Sequence, residues 1–327
     1  MTTFEQFNLP KSVQKAIDDL GFVTPTPIQE KTFSVIMSGR DMMGIAQTGT
    51  GKTFAYLLPL LKLYKFTPGH TPKIVILVPT RELVVQVAEE VEKLTKYMSV
   101  RTVAIFGGVN INTQKTTVYK GCDILVGTPG RIMDLTLDNV IRFEEMQKLV
   151  IDEVDEMLNL GFRTQLTAIL AMMPKKRQNI LFSATMTEEV DAILNDYFDY
   201  PEEVTLSASG TPLENIKQFT YLAPNFNTKI NLLKHLLQTN SAMSRVLVFV
   251  NNKKISDMVH ERIEEDFEGQ FGVIHSNKSQ NYRLSTMASF QEGNLRGLIT
   301  TDIMARGLDI SNITHVINFE MTELPEL

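Results

Sequence analysis

An α/β fold in two units, each on a parallel sheet, is predicted for this chain by three features. Short apolar runs rich in Val, Ile and Leu alternate with longer amphipathic stretches, the order expected of βαβ repeats. The runs are apolar throughout rather than alternating, as in strands covered on both faces. A small, polar stretch containing Gly and Pro, Leu206-Ser207-Ala208-Ser209-Gly210-Thr211-Pro212-Leu213, separates one series of runs from a second. A length of 327 residues suits two such units, each burying its own core.

In chain order, Asn8 or Ser12 is placed to begin the first helix. Thr26-Pro27 ahead of Ile28-Gln29-Glu30 reads as a cap with proline in the first turn of the next. Strands of the first series are expected at 42–46, 74–78, 102–106, 124–126, 149–152 and 180–183, with helices between most of them. The second series is expected at 246–250, 272–275, 297–300 and 315–318, interleaved with helices near 254–265 and 279–291. The expected organisation is therefore a first domain over 1–205, a linker over 206–214 and a second domain over 215–327.

With 43 % hydrophobic and 21 % charged residues the composition is that of a soluble globular protein, and no apolar run is long enough to cross a bilayer. The start, Met1-Thr2-Thr3-Phe4-Glu5-Gln6-Phe7, lacks a basic segment followed by an apolar core, so a cytoplasmic protein without a membrane role is expected. Cys122, the single cysteine, excludes an intrachain disulfide and a cysteine-rich zinc site and reads as a packed thiol. A net charge of −6 argues against a surface that coats nucleic acid indiscriminately; any such contact must be local, through Arg, backbone amides and helix amino termini.

Ala46-Gln47-Thr48-Gly49-Thr50-Gly51-Lys52-Thr53 is a phosphate-gripping loop between a strand and a helix, with Ala46 where the generic pattern has its first glycine. Its glycines let backbone amides curl round a phosphate, Lys52 adds charge at the β/γ oxygens, and the Thr53 hydroxyl is suited to ligate Mg²⁺. Further on, Lys148-Leu149-Val150-Ile151-Asp152-Glu153-Val154-Asp155 puts carboxylates directly after an apolar strand. Alone, these acids read equally well as a solvated helix start. Paired with the loop, Asp152 is suited to hold Mg²⁺ through water and Glu153 to orient or deprotonate an attacking water, and a parallel sheet is expected to bring them beside Thr53.

With these motifs in hand the chain resembles the DEAD-box RNA helicases, the box being written here Asp152-Glu153-Val154-Asp155, with Val for Ala. The resemblance runs along the whole chain in the family's order and implies two RecA-like P-loop domains, the second incomplete. Phe4 with Gly21-Phe22-Val23-Thr24-Pro25-Thr26-Pro27-Ile28-Gln29 resembles the family's Q motif, which implies that Gln29 reads the adenine edge and Phe4 packs on the base, favouring ATP. The Asn-Lys-x-Asp string of a GTPase is absent; Asn277-Lys278-Ser279-Gln280 lacks the aspartate. Pro79-Thr80-Arg81-Glu82-Leu83, Gly107-Gly108 and Thr128-Pro129-Gly130-Arg131 match stretches that grip RNA, implying contacts from Thr80, Arg81, Gly108, Thr128 and Arg131; the glycines and Pro129 also read as plain turns. Ser183-Ala184-Thr185, with Asp155, matches the motif linking hydrolysis to strand separation.

In the second half, Val248-Phe249-Val250-Asn251, Gln280-Asn281-Tyr282-Arg283 and Thr300-Thr301-Asp302-Ile303-Met304-Ala305-Arg306-Gly307-Leu308-Asp309 match RNA- and nucleotide-facing motifs. By that likeness Asn251, Arg283 and Thr300 meet RNA phosphates and Gly307 and Asp309 approach the nucleotide; Arg306 stays open between a functional and a salt-bridging role. The implied partner is RNA, held by its backbone without sequence specificity, with ATP and Mg²⁺ as cofactors; protein partners are not legible. No His-Arg-x-Gly-Arg-x-x-Arg segment occurs before the chain ends at Leu327, so a truncated helicase core is expected, one that binds nucleotide but turns it over poorly. The competing readings are a nucleotide-dependent RNA clamp without efficient turnover and a DNA helicase or remodeller.

Overall fold

A computed structural model describes residues 3–47, 49–66, 69–206, 216–301 and 312–320. The chain divides into two units, Met1–Pro212 and Leu213–Leu327. Apart from Leu206, the expected linker lies outside the described residues, as do Thr48, Arg306, Gly307 and Asp309.

The strands of the first unit are β1 (Met42–Ile45), β2 (Ile74–Leu77), β3 (Thr102–Ile105), β4 (Ile124–Gly127), β5 (Lys148–Ile151), β6 (Gln178–Ser183) and β7 (Glu202–Thr205). Its helices are α1 (Lys11–Asp19), α2 (Pro27–Met37), α3 (Lys52–Leu63), α4 (Arg81–Thr95), α5 (Ile111–Tyr119), α6 (Pro129–Leu137), α7 (Val154–Asn159), α8 (Arg163–Met172) and α9 (Glu188–Tyr197). The seven strands lie in the order β3-β4-β2-β5-β6-β1-β7, all pairs parallel.

The continuous apolar runs are explained by this covering of both faces. Ile74 and Ile76 of β2 join Val126, Val150 and Ile180 in one core, under α1 to α4. Val75 and Leu77, half a pleat away, join Leu125, Leu149 and Leu181 in the other, under α5 to α9. Cys122 is fully buried in the second core, where burial pushes its thiol up to about 12, so it is an inert packing group.

Two local differences from expectation have simple causes. Helix α1 is capped by Pro10 rather than by Asn8 or Ser12, because Asn8 takes a left-handed conformation (φ 48) that closes a short 3₁₀ turn over Phe4–Phe7. Strand β7 escapes sequence reading because Glu202-Glu203-Val204-Thr205 buries only Val204 at the sheet edge, leaving no apolar run. Helix α2 begins as expected, with Thr26 at the cap and Pro27 in the first turn.

The second unit has β8 (Val246–Val250), β9 (Phe271–Ile274), β10 (Gly297–Thr301) and β11 (His315–Asn318), parallel in the order β11-β8-β10-β9. Its helices are α10 (Phe226–Thr239), α11 (Lys253–Glu264) and α12 (Gln280–Gln291), each started by an Asn or Ser side chain that accepts from the backbone three residues on. Ile230, Leu233, Val259 and Ile263 cover one sheet face and Met287 and Phe290 the other. Among the described residues, no helix is long and apolar enough to cross a membrane.

Candidate active site

The phosphate loop leaves the end of β1 and enters α3. Its first residue is pinned sideways, since the Ala46 amide donates to the carbonyl of Ser183 at 3.0 Å. Gly51 caps α3 in the left-handed region (φ 88, ψ 28), where a side chain is strained and a Cβ would meet Gln29 Nε2 at 2.6 Å. Gln29 is buried and works at both ends: Oε1 accepts from the Thr26 amide at 2.9 Å and Nε2 donates to the Gly51 carbonyl at 3.2 Å. The amide that caps α2 thus also tethers the loop. Gln47 and Gly49 are exposed, and Thr50 Oγ1 donates to the Gln47 carbonyl at 2.8 Å. Phe4 is buried, edge-on to Phe7 at 5.9 Å, with Phe7 stacked on Phe33 at 4.1 Å.

The carboxylates stand at the end of β5, and β1 is not their neighbour in the sheet. Strand β6 lies between, so Lys52, the first residue of α3, acts on Asp152 across the end of the intervening strand. Lys52 Nζ and Asp152 Oδ1 are both buried, and neither has a hydrogen-bond partner among the described residues. Such atoms are costly unless something pairs with them, which is the character of a site built for a charged ligand. Burial pushes the Asp152 carboxyl up, and the Lys52 charge opposes it. Val154 is fully buried in the core shared with Leu149 and Ile151, so the Ala-to-Val departure faces away from Asp152's carboxylate chemistry.

Glu153 sits at the cap of α7 with φ 54 and ψ 50, a left-handed conformation that costs a non-glycine residue on the order of 1 kcal/mol. Burial first, then the Asp152 charge, lifts its carboxyl from the ordinary 4.5 to about 7, against the pull of Lys52. Because the folded chain binds this proton more tightly than the unfolded one, the ligand-free protein loses stability as pH rises from 4.5 through about 7. Glu153→Gln removes that slope. Its unfolding free energy is expected to match wild type near pH 4.5 and to exceed it at pH 8 by on the order of 3 kcal/mol, measured by denaturant titration at the two pH values; a difference independent of pH would contradict the raised carboxyl.

The third group is tied directly to the loop after β6. Asp155 Oδ2 accepts from the amides of Ala184 (3.2 Å) and Thr185 (3.0 Å) and from Thr185 Oγ1 (2.9 Å), while Ser183 Oγ donates to the Thr185 carbonyl at 2.6 Å. Residues 46–47, 49–53, 152–155 and 183–185 therefore meet at the carboxyl ends of three adjacent strands.

Thr80, Arg81, Gly108, Thr128 and Arg131 follow β2, β3 and β4, the three strands of the other half of the same edge. Thr80 caps α4 and accepts from the Leu83 amide at 3.3 Å. The Arg81 guanidinium lies against Gly107 and Gly108, and any Cβ at Gly108 (φ 83) would collide with it. Thr128 is buried at the cap of α6. Arg131 is turned inward: Nη1 donates to Gln114 Oε1 at 2.7 Å, and both terminal nitrogens reach the Val109 carbonyl at 3.4 and 3.3 Å. Gln114 in turn donates to the Phe106 carbonyl at 3.2 Å, so the pair braces the 106–109 loop. Gln114 belongs to no motif, and sequence reading passes over it.

In the second unit, Asn251 is exposed just after β8, its amide donating to Glu320 Oε2 at 3.1 Å. Thr300 is buried near the end of β10, its hydroxyl on the Thr301 carbonyl at 3.2 Å, and Arg283 is buried in the first turn of α12. All three stand at the carboxyl end of that unit's sheet. Beside them the buried His275 bonds through Nε2 to Asp257 (3.0 Å), which also holds Lys278 at 2.8 Å.

Residues 26–193 match the family model described as DEAD/DEAH box helicase, and residues 228–327 match that of the helicase conserved C-terminal domain. The chain is 39 % identical over 326 residues to the DEAD-box ATP-dependent RNA helicase CshA of Bacillus cereus, covering 100 % of this chain and 61 % of that protein. It is 39 % identical to the Geobacillus kaustophilus CshA, covering 69 % of it, and 38 % identical to that of Bacillus subtilis, covering 65 %. The chain thus spans less than two thirds of the B. cereus and B. subtilis relatives. Among solved structures, Saccharomyces cerevisiae Dbp5 bound to RNA and ADP BeF3 superposes with a TM-score of 0.87 at 26 % identity, covering 100 % of this chain and 82 % of that one. A DEAD box protein from Methanococcus jannaschii gives 0.61 at 32 % identity, covering 100 % and 87 %.

Proposed function

The chain belongs to the DEAD/DEAH box helicase family, and from that membership and the site geometry we propose that it is the ATP-driven core of an RNA helicase, coupling nucleotide turnover to RNA binding and local duplex opening. One observation carries the proposal. The carboxyl edge of a single sheet is divided, with the phosphate loop, acidic box and Ser-Ala-Thr segment following β1, β5 and β6, and Thr80, Arg81, Gly108, Thr128 and Arg131 following β2, β3 and β4. Open α/β sheets take ligands at this edge.

The loop amides and Lys52 hold the phosphates, and Gln29, fastened to Gly51, is the residue set to register the base. Asp152 and Thr53 fit a magnesium ion: a lone buried carboxylate oxygen and a hydroxyl suit a cation that keeps most of its water and shares the nucleotide's phosphates. No cluster of three or more acidic, His or Cys ligands exists among the described residues, which fits such a site rather than a protein cage. When bound, that ion neutralises charge developing on the β- and γ-phosphoryl oxygens. Glu153, its carboxyl lifted to about 7, is poised to take a proton from the attacking water near neutral pH. Asp155, bonded to Ala184 and Thr185, passes changes at the acidic box to the next strand end. Arg81 and the hydroxyls and amides of the other half contact phosphates, so RNA is held without reading bases, and Arg131 acts by bracing the loop that carries Gly108.

ATP hydrolysis by the protein is expected to rise on the order of 10-fold more with single-stranded RNA than with DNA of the same sequence, and to be indifferent to base composition. Equal stimulation by DNA would overturn the assignment to RNA.

A further inference from the structure

Tyr56 lies on α3 three residues after Thr53 and four after Lys52, on the helix face that carries both toward the acidic box. Its side chain is fully buried, with the ring tilted 47° against Phe182 at 5.8 Å. The hydroxyl has no hydrogen-bond partner among the described residues, although Asp152 and the hydroxyl of Thr53 both lie close enough to act on it. A phenol keeps its proton across the working pH range, so the hydroxyl is available as a donor. Phenylalanine would fill the same space with no polar atom to bury, so packing alone gives the oxygen no purpose. A complementary atom belongs to the neighbour that acts on it: Asp152 Oδ1 is a buried acceptor that also has no partner among the described residues.

Resting on the assignment of Asp152 to the nucleotide's cation, we propose that Tyr56 is a positioning residue: its hydroxyl donates to the Asp152 carboxylate in the magnesium–nucleotide state and holds it in the orientation that binds the cation's water. A hydrogen bond to a ligating carboxylate is the kind of outer support that sets metal affinity without touching the metal.

The test is the affinity of the chain for a fluorescent ADP analogue, measured with magnesium and with EDTA, in wild type, Tyr56→Phe, Asp152→Asn and Phe182→Leu. Wild type is expected to bind more tightly with magnesium. Tyr56→Phe is expected to cut that magnesium-dependent gain by about 10-fold, to leave affinity in EDTA unchanged, and to melt no lower than wild type without ligand. Phe182→Leu disturbs the same packing; it is expected to lower the melting temperature and keep the magnesium gain. A Tyr56→Phe protein with the wild-type gain, where Asp152→Asn has lost it, overturns the role of Tyr56 alone. If Asp152→Asn keeps the full gain, the cation assignment fails and the role of Tyr56 fails with it.

Discussion

Glu153→Gln is expected to lower RNA-stimulated ATP hydrolysis by roughly 10²–10⁴-fold while changing nucleotide affinity by less than about threefold. The substitution keeps the size and shape of the side chain and removes its ability to accept a proton. Glu153 lies beside Asp152 but takes a different position: it is the residue at the bend, held left-handed at the cap of α7, and its carboxyl is lifted to about 7 by burial and by its neighbour's charge. A base is most effective when its proton affinity is near the working pH, because it is then both ionised and able to hold the proton it takes. The loss should therefore fall on the chemical step, visible as a reduced single-turnover rate with an unchanged binding isotherm. Near-wild-type turnover in Glu153→Gln would remove Glu153 from the reaction.

Lys52→Ala is expected to weaken ADP and ATP binding by about 10- to 100-fold, in line with the ~1.5–3 kcal/mol of a charge-assisted hydrogen bond. Titration calorimetry on the purified chain would measure it. The ammonium is buried at the start of α3 with no hydrogen-bond partner among the described residues, and it opposes the rise that burial imposes on Asp152 and Glu153. Its removal thus has a second effect of calculable sign. Without the positive charge both carboxyls hold their protons to higher pH, so the affinity defect should widen as pH falls below neutral. A variant that binds ADP within threefold of wild type would show that the phosphates are held by the loop amides alone.

Much of the site was legible in the sequence because its chemistry is local. The loop at 46–53 needs glycines and a lysine in fixed succession, and the acidic box needs carboxylates where an apolar strand stops. The partnership of Gln29 with Gly51 was not legible, since it joins residues in two helices that meet only after the chain has folded. The inward turn of Arg131 onto Gln114 was equally hidden: an arginine in Thr-Pro-Gly-Arg looks the same whether it faces a ligand or a loop carbonyl. Tyr56 belongs to no motif and its ring is core; only the placement of its hydroxyl beside Asp152 distinguishes it from a phenylalanine.

What the sequence determined by itself was the fold class and the family. Strands buried on both faces must be apolar throughout, and phosphate binding requires particular residues in an unbroken run, so both leave a local trace. What only the tertiary structure decided was adjacency. The order β3-β4-β2-β5-β6-β1-β7 puts β6 between the loop and the acidic box and so links Asp155 to Thr185. It also divides one sheet edge, with the loop and acidic box on one half and Thr80, Arg81, Gly108, Thr128 and Arg131 on the other. Strand order is set by which helix faces pack together across long sequence separations, and no local pattern records that.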